Sequence, residues 1–419
     1  MRLIVSGATD VGKKRSHNED AMLIDETHAL FVVADGMGGH EGGEIASQKA
    51  VEIVAHHVKE NYATLKENFH RQSAEDFSRI SSFLENVVSQ ASFEIHGIAE
   101  KKKIQGGIGT TLTILLVLGN HGFVAHVGDS RLYLVRKGHV HQITEDHTLL
   151  QEHIRNGKLT PEEIIDFPHK NILTRSVGVY PHVEADTFHF VLLPGDFLLL
   201  CSDGLHNYLQ DNEIEPLIRS VKGEFRAEPF IQLANARGGA DNITVIVIEA
   251  DEGVSPQEAD QLHEQFNLRM DTLKNVPLYR DLSYKELVKI FNITQVHTYR
   301  AGETIFNEGE EGSEFCIILS GEIELSTHGK PFKRMRAGTH FGEMSLIDQQ
   351  PRSATVTAVV DTKLLVISRK DFIALLRSDT HLASKLLWRF LMVVSRRLRD
   401  ATARYTELQA QVSGNRKDG

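Results

Sequence analysis

The sequence predicts an α+β chain of two domains, and three observations carry that prediction. The chain has 419 residues, past the size at which a single core usually stops growing. Up to about Ala250, apolar runs of strand length flank two long stretches of helical spacing. From Val296 to Ser368 the texture changes to short apolar runs separated by glycines at 302, 309, 312, 321, 329, 338 and 342. Turn signals at that spacing predict a small β-barrel or jelly roll with flanking helices.

In the first domain the expected strands are LFVVAD, TLTILLVL, GFVAHVGDS, RLYLVRKG, DFLLLCSD and NITVIVIEA. Two helices fill Gly43 to Lys103. In the second, Phe77, Ile80, Leu84, Val87, Ala91, Ile95 and Ile98 recur at helical spacing and read as core. Strands on both sides of a helical pair predict an antiparallel sheet system covered by helices. Between Thr144 and Tyr180 lies a polar connection. Within it Thr160 is an N-cap, Pro161 the first helical residue and Glu163 the closing member of a capping box. Connections of this length often act as lids.

The first domain is expected to span 1–250, a helical connector 251–275, the second domain 276–410 and a polar tail 411–419. Ser255 and Glu258 start the connector, with Leu262, Phe266, Met270 and Leu273 on one face. Ser283 and Glu286 form a second box, and Ser368 with Asp371 caps another helix. A long helix then runs from about Leu382 to Ala410. Its Leu386, Leu387, Phe390, Val394 and Leu398 lie at helical spacing. Homodimer formation through this stripe and packing on the chain's own domain both fit.

Composition is ordinary for a globular protein, with 41% hydrophobic and 25% charged residues. A net charge of -11 argues against nucleic-acid and anionic-membrane partners. The only cysteines, Cys201 and Cys316, sit in apolar runs and read as buried thiols of a reducing compartment. The start, MRLIVSGATD, is too weakly apolar for a signal peptide, and no apolar stretch reaches bilayer length. The expected location is cytoplasmic.

Three strand runs carry an aspartate at one end: Asp35 after FVVA, Asp203 after LLLCS and Asp241 before NITVIV. With the last strand antiparallel to the others, the three carboxylates meet at one rim. Asp129, in the tight turn VGDSR, can join them, and Asn18-Glu19-Asp20 adds two more acids. Like charges do not converge ionised in a partly buried place without a cation. Oxygen ligands select Mg²⁺, Mn²⁺ or Ca²⁺ over zinc. Arg15 offers a fork for phosphate beside them. Together these residues point to metal-assisted phosphoryl hydrolysis.

The blocks RSHNED, VADGMGGH, GIGTTL, VGDSRLY, ITEDHT, LTRSVG, CSDGL and ADNIT occur in order over about the first 250 residues. They resemble the PPM family of metal-dependent serine/threonine protein phosphatases. The resemblance implies a central antiparallel β-sandwich flanked by helices. It implies that Asp35 bridges two Mn²⁺ or Mg²⁺ ions, with the Gly36 carbonyl alongside. Asp203 and Asp241 complete the first metal site, and Glu19 and Asp20 hold metal-bound waters. Asp129, with Asp203, carries a weaker third ion. Arg15 binds the substrate phosphate. A hydroxide bridging the metals attacks phosphorus in line, without a phosphoenzyme. The stretch from His147 to Arg175 corresponds to the family's substrate-contacting flap. Where many members have a proton-donating histidine this chain has Met37. Methionine cannot donate a proton, so a metal-bound water is expected to protonate the leaving group. His40 is expected in helix-start packing.

The second sharp stretch is FGEMSLIDQQPRSATV. Gly342 and Glu343 open a short helix whose amides can bind an anion. Arg352 can pair with phosphate, and Glu343 can accept from a sugar hydroxyl. With PLYRDLS and AGETIFNEGEEGSEFCIILSGEIEL, this resembles the phosphate cassette of cyclic-nucleotide-binding domains, over about Val276 to Ala410. The resemblance implies that Arg352 and nearby amides, from Gly342 to Ser345, hold the cyclic phosphate, and Glu343 the ribose 2′-hydroxyl. Ser353 follows the arginine; in such domains a hydroxyl there often helps bind guanine, but cAMP binders can also carry serine, and cAMP is slightly favoured over cGMP. The expected function is a bacterial, cyclic-nucleotide-regulated phosphatase of phosphoserine and phosphothreonine proteins. The alternative is a catalytically silent, nucleotide-gated scaffold. A transcription factor would need a helix-turn-helix after the long helix, for which the chain ends too soon.

Overall fold

The computed structural model describes residues 1–38, 42–71, 73–104, 107–156, 159, 163–164, 167, 170–251, 253, 255–347 and 350–415. His40, Thr160 and Pro161 lie outside these residues, as do the side chains of Ser345 and of every position after 406. Two compact units are formed, Met1–Leu262 and His263–Gly419.

The first unit contains two antiparallel sheets. The larger is built from β2 (Asp20–Asp25), β3 (Leu30–Met37), β5 (Leu112–Leu118), β6 (His121–Val127) and β9 (Asp186–Val191), in that spatial order. A short β4 (Gly109–Thr110) pairs beside β3. The second sheet has the order β1 (Arg2–Asp10), β11 (Ile243–Asp251), β10 (Phe197–Cys201), β7 (Arg131–Arg136) and β8 (His139–Gln142). β1, β2, β8 and β9 were not expected from the sequence. Their burial is mixed, with many half-exposed positions, so they lack the continuous apolar signal of the central strands.

The two long helices, Gly42–Arg71 and Ala74–Lys102, cover the outer face of the larger sheet. Ser73 caps the second by accepting from the Asp76 amide. Of its predicted stripe, Ile80, Leu84, Ala91 and Ile95 are fully buried against Leu30, Val32 and Ala34 of β3 and Ile114 and Leu116 of β5. By alternation, Phe31 and Val33 point the other way, toward the second sheet. The outer face of that sheet buries Leu199, Val245 and Val247 under the helices Asp211–Ser220 and Glu228–Ala236. The order is therefore helices, sheet, sheet, helices, the predicted flanked sandwich.

In the second unit the strands form two four-stranded sheets. One has the order β12 (Thr294–Tyr299), β19 (Thr362–Ser368), β14 (Glu314–Ser320) and β17 (His340–Phe341). The other has β13 (Thr304–Phe306), β18 (Thr355–Ala358), β15 (Glu322–Thr327) and β16 (Lys330–Arg336). Phe306, Cys316, Ile318, Ile323, Phe341, Val356, Leu364 and Val366 make its core. The sheets do not close into a barrel, because no ladder among the described residues joins the edge strands of one to the other. Of the two expected forms, the double-sheet one is present.

The connector helix, Pro256–Asn275, is capped reciprocally by Ser255 and Glu258. Its Met270 and Leu273 are buried and Phe266 meets Phe291 at 4.9 Å, while Leu262 is exposed. The final helix spans Thr380–Asn415. Its predicted single stripe is two: Leu382, Leu386 and Phe390 are buried, but Leu387, Val394 and Leu398 are exposed. One residue turns an α-helix by about 100°, so Leu387 cannot share the face of Leu386. No helix among the described residues is long and apolar enough to cross a membrane. Cys201 and Cys316 are both buried free thiols, and burial pushes the Cys201 pKa up to about 12.

Candidate active site

One end of the sandwich opens into a cleft of about 1220 Å³. Of the eight residues assigned to metal or phosphate in the first domain, seven line it: Arg15, Glu19, Asp35, Gly36, Asp129, Asp203 and Asp241. Asp20 is the exception. It is buried behind the wall, directly across the β2–β3 ladder from Asp35.

The backbone forces this convergence. β10 and β11 are antiparallel, so Asp203 just after β10 and Asp241 just before β11 lie at the same rim. Asp35 is reached from the other sheet through β3. Thr111 holds it there: the Asp35 amide donates to Thr111 Oγ1 at 2.9 Å, and the Asp35 carbonyl accepts from the Thr111 amide at 2.8 Å. Thr111 Oγ1 also lies 2.7 Å from Ser130 Oγ, tying this strand to the turn that carries Asp129. His206 Nε2 donates to the Asp129 carbonyl at 2.9 Å. Gly36 must be glycine, since a Cβ there would overlap the carbonyl oxygens of Gly43 and Glu19.

Asn242 closes the site from below. Its amide nitrogen donates to the carbonyls of Val11 and His17 at 3.0 and 2.9 Å, and its Oδ1 accepts from the Glu19 amide at 2.8 Å. It thereby clasps the segment bearing Arg15 and Glu19 to the residue next to Asp241. Ser202 plays the same part for Asp20, donating to Oδ2 at 2.8 Å. The sequence reading missed Asn242, Ser202 and Thr111. Ser202 and Asn242 stand next to Asp203 and Asp241, and a small polar residue beside such an acid was the available signal; Thr111 lies in GIGTTL, which holds no acid, and carried none.

The electrostatics are strained. Burial, and then the charges of Asp20, Asp203, Asp129 and Asp241, push the Asp35 pKa well above the usual carboxylate range. Burial pushes Asp20 and Asp129 up to about 7. Asp203 is raised by burial and by Asp241, and Glu19 by burial. Asp20 Oδ1 and Asp203 Oδ1 are buried with no hydrogen-bond partner. Among the described residues no three acids already converge as one ion's shell. They face a common cleft, as carboxylates that repel one another do until a cation neutralises them. An all-oxygen set with orphaned buried oxygens fits hard divalent cations.

Among the described residues, the ion pair to one of these acids is Arg15 Nη2 to Asp241 Oδ2, at 2.7 Å. Met37 lines the cleft where the resemblance placed a proton donor, and so do His17 and His182. From the polar connection, Asn171, Leu173, Thr174, Arg175, Ser176, Val179 and Tyr180 complete the wall.

In the second unit Gly342, at φ 77°, enters a single 3₁₀ turn, Glu343–Leu346. Glu343 and Arg352 are both buried and Ser353 is exposed. Arg352 donates through Nη1 to the Glu314 carbonyl at 3.0 Å, and its guanidinium lies 3.7 Å over the Phe306 ring. A Cβ on Gly342 would stand 2.7 Å from Arg352 Nη1, so the turn and the arginine are packed together.

A family model of protein phosphatase 2C matches residues 11–236, and one of the cyclic nucleotide-binding domain matches residues 296–379. The serine/threonine phosphatase stp of Listeria monocytogenes is 39% identical over 247 residues, 58% of this chain and 94% of that protein. The crystal structure of the serine/threonine phosphatase PstP/Ppp of Mycobacterium tuberculosis is similar with a TM-score of 0.52 and 32% identity, covering 60% of this chain and 100% of that one. A structure of the PstP catalytic domain in complex with 2 manganese ions matches with a TM-score of 0.51 and 32% identity, covering 60% and 99%. The amino-terminal unit is thus a serine/threonine protein phosphatase domain, followed by a cyclic nucleotide-binding domain, and the chain belongs to the protein phosphatase 2C family.

Proposed function

We propose that this chain hydrolyses phosphoserine and phosphothreonine in proteins with two Mn²⁺ or Mg²⁺ ions, and that cyclic nucleotide binding to its second domain sets the rate. The observation that carries the reading is the meeting of Asp35, Asp129, Asp203 and Asp241 at one rim, with Asp203 Oδ1 and, behind them, Asp20 Oδ1 buried and unpartnered.

Asp35, the Gly36 carbonyl, Asp203 and Asp241 would hold the two ions, and Glu19 and Asp20 their waters. Asp129 with Asp203 would take a weaker third. Bound there, the ions would neutralise phosphate charge and lower the pKa of the attacking water. The remaining work falls to the chain itself. Arg15 is shared between Asp241 and the open cleft, so a phosphate dianion entering the cleft can capture its guanidinium. Met37 supplies no proton, which leaves water as the donor to the serine or threonine oxygen. The wall from Asn171 to Tyr180 would contact the phosphopeptide. In the second domain Arg352 and the amides of the Gly342–Ser345 turn would hold the cyclic phosphate, Glu343 the ribose hydroxyl, and Ser353 the base side. cAMP is slightly favoured over cGMP.

The decisive assay is Mn²⁺-dependent phosphate release from a phosphothreonine peptide, with and without cAMP or cGMP. Wild type should turn over and respond to one nucleotide, and Asp35→Asn should fall to background; wild-type activity equal to that of the variant would overturn the reading. Asn242→Ala should weaken Mn²⁺ binding about 10–100-fold by calorimetry, because it frees the segment that presents Glu19. Unchanged Mn²⁺ affinity would remove Asn242 from the site's support. Arg352→Ala should weaken cyclic-nucleotide binding by about 2–5 kcal/mol, and equal affinity would remove that arginine from the phosphate site.

A pH dependence follows from the raised acids. Asp20 and Asp129 titrate near 7 when folded but near 4 in an unfolded chain, roughly. The folded state therefore holds more protons across that window, and their contribution to stability falls as pH rises through it and levels off above. Histidines that desolvation holds at about 4, His121, His141, His189 and His206, act in the opposite direction. They cancel in the shift of melting midpoint caused by Mn²⁺. That shift should be larger near pH 8 than near pH 5, about where the acids have lost or kept their protons; a pH-independent shift would contradict the metal assignment.

A further inference from the structure

The final helix, Thr380–Asn415, carries two apolar stripes, and its own domain uses only one. Leu382, Leu386 and Phe390, four residues apart, are buried. After Phe390 no described residue of the helix is buried. Yet large apolar side chains continue: Leu387 is 54% exposed, Leu391 64%, Val394 51% and Leu398 66%, flanked by Trp388 and Met392 at 65% and 50%. A chain that leaves six such side chains on one exposed helix has a partner for them.

The spacing says what kind. Leu387, Leu391, Val394 and Leu398 follow one another by four, three and four residues, and the sequence continues the alternation through Ala401, Tyr405, Leu408 and Val412. A 3.5-residue average keeps a seam facing a second helix over four heptads, and it matches itself. A sheet or a globular surface does not require it. Charge agrees: Arg389, Arg396, Arg397, Arg399, Asp400, Arg404 and Glu407 lie between 387 and 415, and none falls on the seam. Exposed large apolar residues of the first unit, Met1, Phe93, Ile154, Ile172, Tyr180, Phe225 and Leu262, come from separate segments, none of which presents a run of them among the described residues.

We propose that this seam pairs with the same seam of a second copy of the chain as a two-stranded coiled coil, making the protein a homodimer. The pairing rests on the helix itself and not on the phosphatase or nucleotide assignments above.

The test is sedimentation equilibrium of the full chain at micromolar concentration. Wild type should sediment at twice the 46.9 kDa of one chain. Leu391→Glu with Leu398→Glu should sediment at the single-chain mass, with unchanged far-ultraviolet circular dichroism and unchanged phosphatase rate, since both side chains are exposed within one chain. Arg396→Glu, off the seam, should stay dimeric. Wild type at the single-chain mass would overturn the proposal, including the case in which the chain's own phosphatase domain covers the seam. A dimer that survives the double substitution would overturn it too.

Discussion

Mutual repulsion among buried carboxylates is the constraint on which the first domain turns. Asp35 is half-buried at the wall of the cleft, and four other aspartates act on it. Nothing in a hydrophobic sandwich favours such a gathering. It is held because each acid is attached to a strand or turn that is itself pinned. Antiparallel pairing of β10 with β11 sets Asp203 beside Asp241, and the β2–β3 ladder sets Asp20 across from Asp35. The cost of assembling these charges is borne by the hydrogen-bonded sheets and the apolar layers on both faces. A divalent cation would relieve it, which is why the same geometry reads as a site.

The supports are small and polar. Asn242 satisfies three backbone groups from the segment that leads into β2, and Thr111 satisfies both the amide and carbonyl of Asp35. Such clasps place a carboxylate more tightly than its own side chain could, because they act on the backbone that carries it. Arg15 differs in being half exposed and, among the described residues, bound to Asp241 alone. It has the freedom to exchange one oxyanion for another, as a phosphate-binding residue must.

The second domain follows another logic. Its two small sheets bury a compact core, and Arg352, the one buried arginine among its described residues, is stacked on Phe306 and bonded to the Glu314 carbonyl. Burial pushes the pKa of that guanidinium down. A cation so placed gains from an incoming anion more than an exposed one would. The final helix then continues past the core of its domain with an apolar seam that this domain leaves exposed.

Much of this was legible in the sequence. The central strands were visible because they are buried on both faces and read as unbroken apolar runs. The two long helices were visible from spacing, and the acids from their places at strand ends. The peripheral strands were not, since half-exposed edges carry no such signal. The split of the final helix into two stripes was also beyond the sequence: Leu386 and Leu387 are equally apolar, and only packing against the domain decides which is buried. The roles of Asn242 and Ser202 were hidden for the same reason. A polar side chain announces its chemistry, but its partners lie up to 231 residues away for the Asn242–Val11 bond, and only the folded sheets bring them within reach. Composition and pattern alone determined the layers and the kinds of ligand atoms. The tertiary structure alone decided which atoms meet, because distance in space is set by strand order and register, which no local stretch encodes.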